Sequence, residues 1–98
     1  MINRIVRMVF VPAMENEFIE VFNKYKDQIA HFPGCRSLKL LKEKGNDCVY
    51  FTFSIWATES NLESYRKSEL FKEVWSQTRS RFADKPMAWS TVIADDVK

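Results

Sequence analysis

Two stripes of apolar side chains recur in this chain at identical helical offsets, and strand-like segments flank each of them. Phe18, Val21, Phe22, Tyr25 and Ile29 fall at i, i+3, i+4, i+7 and i+11, with Glu17, Glu20, Lys24 and Asp27 between them. That spacing predicts a helix over about Met14 to Ala30 with one apolar face and one wet face. Phe71, Val74, Trp75, Thr78 and Phe82 repeat the offsets and predict a second long helix ending near Phe82. A helix with a single apolar stripe is stable only against another layer. Four strand-like segments can supply that layer.

Ile2 to Val11 is rich in β-branched and long apolar residues and stops at Pro12, which cannot continue a central strand. After the first helix, Phe32-Pro33-Gly34 marks a turn. Arg36 to Lys42 then alternates Leu38 and Leu40 with Ser37 and Lys39, the pattern of a strand with one wet face at or near a sheet edge. Lys44-Gly45-Asn46-Asp47 reads as a turn into Cys48 to Trp56, a hairpin that sets Leu40 opposite Tyr50 and Leu38 opposite Thr52. Thr58 and Ser60 are both N-cap residues, and Ser60 with Glu63 fits a capping box, so a short helix follows Trp56 and breaks near Ser68. Met87 to Ala94 is the last strand, and the charged tail Asp95 to Lys98 frays.

The order is therefore β-α-β-β-α-β with the second helical region in two pieces. This is an α+β, ferredoxin-like arrangement: a four-stranded antiparallel sheet with both helices on one face. At 98 residues the chain is expected to be one domain spanning 1–98. The helices leave the second sheet face bare, yet that face is apolar. Val49, Phe51, Phe53 and Ile55 share one side of the third strand while Tyr50, Thr52, Ser54 and Trp56 share the other. In the first strand Ile5, Val9 and Val11 oppose Val6, Met8 and Phe10. A second copy, sheet to sheet, is the economical cover, so a homodimer is expected.

Composition excludes several classes of function. The chain is 46% hydrophobic and 14% aromatic, which is the composition of a packed domain rather than of a disordered one. Fifteen basic residues face 13 acidic ones, interspersed along the chain, so no basic stripe is available to follow a nucleic acid backbone. Arg4 and Arg7 interrupt the apolar N-terminal segment, which does not read as a secretory signal. The longest uncharged run, Cys48 to Thr58, is far short of the ~20 residues of a membrane-spanning helix. Cys35 and Cys48 lie at opposite ends of adjacent strands, too far apart for a disulfide, and read as reduced thiols of a cytoplasmic protein. His31 has no second histidine and no CxxC beside it, so no metal site is expected.

Phe32-Pro33-Gly34-Cys35, the segment FTFSIW at 51–56, Thr58-Glu59-Ser60-Asn61-Leu62 and Tyr65 to Phe71 with its Y..S..F spacing together resemble the antibiotic biosynthesis monooxygenase superfamily over nearly the whole chain. The resemblance implies a dimeric α/β-barrel with a pocket between sheet and helices in each subunit. It also implies one of several outcomes: cofactor-free oxygenation of quinols or polycyclic phenols, heme degradation, isomerisation of small phosphorylated metabolites, or no known reaction. Matched position by position, the heme-degrading branch has its axial histidine where Trp75 stands. That branch has a tryptophan where Tyr65 stands and a strand-one asparagine at Val6 or Arg7, so heme degradation is disfavoured. In the polyketide-oxidising branch the tryptophan matches Trp56, while its asparagine falls on Thr52 and its tyrosine on Leu62.

The substrate-binding set expected from this reasoning is Trp56, Tyr65, Phe71, Trp75 and Thr52, on a pocket wall between the long helix and the sheet. Phe71 and Trp75 stack on one helix face at i, i+4, and Thr52 shares the strand face of Trp56. The same rings could instead simply fill the core. His31 is either a base for a phenolic proton or an exposed helix C-terminal residue. Arg7, a charge in mid-strand, reaches the sheet edge, pairs with an acid or points into the pocket. Glu59, Glu63, Arg66 and Lys67 read as solvated helix surface, and no catalytic residue is assigned. Two functions remain in play. One is a monooxygenase acting on an aromatic or quinol-like compound without metal or flavin; the other is a non-catalytic dimeric module that binds a hydrophobic small molecule or serves in a stress response.

Overall fold

A computed structural model describes all 98 residues. The strands are β1 (Ile2–Val9), β2 (Cys35–Lys42), β3 (Val49–Trp56) and β4 (Met87–Thr91), and the helices are α1 (Glu15–Ala30), α2 (Glu59–Arg66) and α3 (Glu69–Arg79). The sheet is antiparallel in the order β2-β3-β1-β4, the α+β ferredoxin-like topology. No helix is long and apolar enough to cross a membrane.

The β1–β3 register pairs Arg4 with Ser54, Val6 with Thr52 and Met8 with Tyr50. Even-numbered residues of both strands therefore share the face beneath the helices, and Ile5, Arg7, Phe51, Phe53 and Ile55 share the opposite one. The β2–β3 hairpin differs from the sequence expectation by two residues: Leu40 lies opposite Thr52 and Leu38 opposite Ser54. The slip arises because the connection is longer than the turn motif, running from Glu43 to Cys48 with the Glu43 amide bonded to the Val49 carbonyl at 2.9 Å. A shift by two preserves parity, so the same side chains face the helices. A bulge between Cys35 and Ser37 sets Cys35 opposite Trp56, and both cysteines are free thiols.

Three boundaries fall short of expectation. β1 ends at Val9, because Phe10 makes an isolated bridge to Phe82 and the Val11 amide bonds the Arg81 carbonyl, which draws the chain toward the end of α3. α3 ends at Arg79, three residues before the last ring of its stripe, so Phe82 packs from the connecting segment rather than from the helix. β4 ends at Thr91 opposite Asn3, near the start of β1, which leaves Val92 and Ile93 without a strand to pair with.

The N-cap of α2 is Thr58, not Ser60: its hydroxyl oxygen accepts from the Asn61 amide at 3.1 Å and its hydroxyl donates to the Asn61 side chain at 2.7 Å. Ser68 caps α3 by accepting from the Phe71 amide at 3.1 Å. These two caps, ten residues apart, cut the second helical region in two and turn α3 back over the sheet.

Two apolar clusters hold the layers together. Phe10 and Phe18 stack at 4.0 Å and join Met8 and Tyr50. Val21, Tyr25 and Ile29 of α1 form the second cluster, against which Leu38, Leu70 and Val74 pack.

Candidate functional site

α3 is fastened to α1 rather than to the sheet. The Tyr25 hydroxyl donates to the Glu73 carboxylate at 2.9 Å and accepts from the Gln77 amide at 2.8 Å, while Val74 packs onto the α1 cluster. With that edge of α3 taken by α1, Phe71 and Trp75 project over the sheet. The space beneath them is a cavity of about 410 Å3, within the ~300–1,000 Å3 of small-molecule sites.

Trp56, Tyr65, Phe71, Trp75 and Thr52 all line this cavity. The four rings form a continuous wall: Trp56 stacks on Tyr65 at 5.0 Å, Tyr65 meets Phe71 edge-on at 5.2 Å, and Phe71 stacks on Trp75 at 5.9 Å. Each pair lies within the ~4.5–7 Å spacing of favourable aromatic contacts. Trp56 is fully buried and donates its indole N–H to the Ser54 hydroxyl at 2.9 Å, so its polar atom is satisfied within the wall. Leu62, at the position matched to a tyrosine, is buried and also lines the cavity.

Burial pushes the Tyr65 phenol far above its ordinary value, with the nearby Cys35 thiol adding to the shift. Tyr65 therefore stays protonated at neutral pH, where it can donate a hydrogen bond but cannot act as a base. Thr52, between Val6 and Leu40 on the sheet floor, brings a second hydroxyl.

His31 and Arg7 stand elsewhere. His31 is exposed at the end of α1, its Nδ1 2.7 Å from the Asp27 carbonyl oxygen, and does not line the cavity. Arg7 lies in register with Phe51 and Met87 on the sheet face away from the helices, so it does not point into the pocket. Trp75 offers no atom that ligates iron, and no three His, Cys, Asp or Glu side chains come together as a metal site.

The charged groups at the cavity are Arg4 and Arg66, which sequence reasoning passed over. The signal for Arg4 was present in the alternation of β1: it shares parity with Val6 and Met8 and hence with Thr52 and Trp56 across the sheet. Arg66 follows Tyr65 on α2 and was read as wet surface. It is half exposed and ion-paired to Glu63 at 2.8 Å, yet it also borders the cavity.

The fold recurs among solved structures. An antibiotic biosynthesis monooxygenase superposes with a TM-score of 0.90 at 10% identity, covering 97% of this chain and 100% of that one. A Mycobacterium tuberculosis protein gives 0.87 at 15% identity over 99% and 98%. The cofactor-independent oxygenase SnoaB of Streptomyces nogalater gives 0.87 at 18% identity over 98% and 95%. At such identities the likeness is one of fold. No curated protein shows significant sequence similarity to the chain. Residues 1–76, which carry β1 to β3, α1, α2 and the Phe71–Trp75 wall of the cavity, match the model of the antibiotic biosynthesis monooxygenase family, and the chain belongs to that family.

Proposed function

We propose that the chain is a cofactor-independent monooxygenase that takes an aromatic, quinol-like or polycyclic phenolic compound into the cavity between α3 and the sheet. The observation that carries this reading is the wall of four rings over a floor with only a few hydroxyls, in a member of this family. Trp56, Tyr65, Phe71 and Trp75 are read as holding the ring system, with Thr52 accepting or donating one hydrogen bond.

The chemistry needs little from the protein. An electron-rich phenol oxidised to a quinone supplies two hydrogens and four electrons, so one oxygen atom of dioxygen enters as a carbonyl and the other leaves as water. Neither metal nor flavin is required. The protein's part is to hold the ring, favour its ionised form and exclude water.

A second reading, a non-catalytic binding module of the same fold, is favoured by the lining itself. It holds no histidine, carboxylate or lysine to serve as a general base, and Thr52 and Leu62 replace the asparagine and tyrosine of the oxidising branch. Thermal-shift screening of naphthoquinols and hydroxyanthrones, followed by oxygen-electrode assay of those that bind, separates the two. Oxygen uptake stoichiometric with quinone formation supports the oxygenase. Tight binding with no uptake above the protein-free rate supports the module.

In both readings the working form is a homodimer joined through the open sheet face, in a reducing compartment such as the cytoplasm, where Cys35 and Cys48 remain thiols.

A further inference from the structure

Arg4 stands alone on the floor of the cavity. On the helix-facing side of the sheet its neighbours are Ser54 and Ser90 in register and Val6 along the strand, all uncharged. A partly buried guanidinium is ordinarily paired with a carboxylate, because leaving water costs the charge its hydration. Arg4 donates to the Ser90 hydroxyl at 3.0 Å, and the chain's five ion pairs do not include it. Four of its five N–H donors remain for another partner.

Arg66 approaches the same end of the cavity from α2. Burial and the Arg66 charge depress the Arg4 guanidinium below its ordinary value, and Glu63 acts in the opposite sense. Two like charges thus share one end of a cavity whose remaining lining carries no charge. Glu63 neutralises one of them through its ion pair with Arg66. The Arg4–Glu63–Arg66 group is left with one net positive charge, and Arg4 is its member without an ion pair.

We infer that the aromatic ligand of this cavity carries a single anionic group, a carboxylate or its equivalent, seated against Arg4 with Arg66 beside it. The inference rests on the reading of the cavity as an aromatic-ligand site and adds which end of the ligand goes where. The rings lie along the Trp56–Trp75 wall and the acid points to the β1–α2 end. A planar guanidinium with free parallel donors suits a carboxylate better than a point charge would. A dianionic phosphate would exceed the charge available.

The test uses a matched pair of fluorescent probes, anilinonaphthalene sulfonate and phenylnaphthylamine, which share a ring system and differ by the sulfonate. The intact protein is expected to bind the sulfonate about tenfold more tightly than the neutral probe at low salt, the worth of one charge-assisted hydrogen-bonded contact. Arg4→Met should cut that preference to about threefold or less, and an unchanged far-ultraviolet circular dichroism spectrum certifies that the variant folds. Glu63→Gln, by freeing Arg66, should tighten the sulfonate by roughly threefold. Arg7→Met, on the other sheet face, should leave the ratio of the two affinities unchanged.

Equal affinities for the two probes, or a preference that survives Arg4→Met or disappears with Arg7→Met, would overturn the inference and leave the aromatic site standing. If neither probe binds, or if Trp75→Ala alters neither affinity, the aromatic site itself falls and the anion seat with it.

Discussion

At the scale of single residues, the rings of the wall divide by how much else depends on them. Trp56 has no exposed surface and anchors its indole to Ser54, so it is a core residue whose inner edge happens to face the cavity. Trp75 is half-buried, held by Phe71 on one side and by Phe82 at 5.6 Å on the other. Trp56→Ala is expected to cost about 3–5 kcal/mol in urea unfolding, as for a large core side chain. Trp75→Ala should cost only about 1 kcal/mol and act chiefly on ligand affinity; a loss as large as that of Trp56→Ala would mean Trp75 fills core rather than bounding a site. Tyr65 adds a pH dependence. Its folded pKa lies above the unfolded value of about 10, so the stability linked to the protonated phenol is whole below pH ~10 and is lost as pH rises through the folded value. Wild-type stability should fall more steeply than that of Tyr65→Phe above pH ~10, by at most about 1.4 kcal/mol per pH unit. Parallel curves for the two proteins would show that the hydroxyl ionises freely in the native state. That Phe71 and Trp75 share a helix face, and Thr52 and Trp56 a strand face, was legible from period and parity; that a cavity lies between them was implied only by the resemblance. Arg4 was legible by the same parity, but a charge within an apolar strand does not by itself say that a cavity lies above it.

At the scale of elements, what the sequence left ambiguous was where each one stops, because the deciding contacts are distant in sequence. β1 yields to the bridge between Phe10 and Phe82, and the second helical region is divided by whichever hydroxyl wins the cap. Thr58 and Ser60 are equivalent by composition. Thr58 wins because Asn61 answers it with both its backbone amide and its side chain. That same Asn61 side chain lies against Gly34, which has φ +88° and whose carbonyl oxygen accepts the Ala57 amide at 2.8 Å. A methyl at Gly34 would strain the backbone and collide with Asn61, displacing the start of α2 and with it Leu62 and Tyr65 of the cavity wall. Gly34→Ala is expected to cost about 2 kcal/mol and Thr58→Ala about 1 kcal/mol. Because both act through Asn61, the double variant should fall short of their sum by about 0.5 kcal/mol or more in a double-mutant cycle. Strict additivity would show that the turn and the cap are independent.

At the scale of the whole molecule, the helices account for one sheet face and leave the other as the largest unexplained feature. Ile5, Phe51, Phe53 and Ile55 lie side by side across the two central strands, and Trp89 and Met87 on β4 are 42% and 49% exposed. The absence of a wet face on β3 was plain from the sequence, since odd and even positions are both apolar there. The partner itself cannot be read from one chain, because nothing in a strand's pattern says what lies beyond its own surface. In the proposed homodimer a second copy would cover the face with an identical face about a two-fold axis, and strand residues already rigid in the sheet would lose little further freedom on docking. Light scattering at micromolar concentration should therefore give about twice the 11.6 kDa chain mass. Phe53→Lys tests which surface is used. Phe53 lies between Ile5 and Lys39 on the open face and takes no part in the two core clusters, so the substitution spares the fold. In a sheet-to-sheet dimer the new ammonium would be desolvated beside Lys39, a burial that costs several kcal/mol without a counter-charge. The variant should be a folded monomer with an unchanged far-ultraviolet circular dichroism spectrum. A dimer that survives Phe53→Lys would put the interface on another surface, and a wild-type protein that scatters as a monomer would leave this apolar face bare to water.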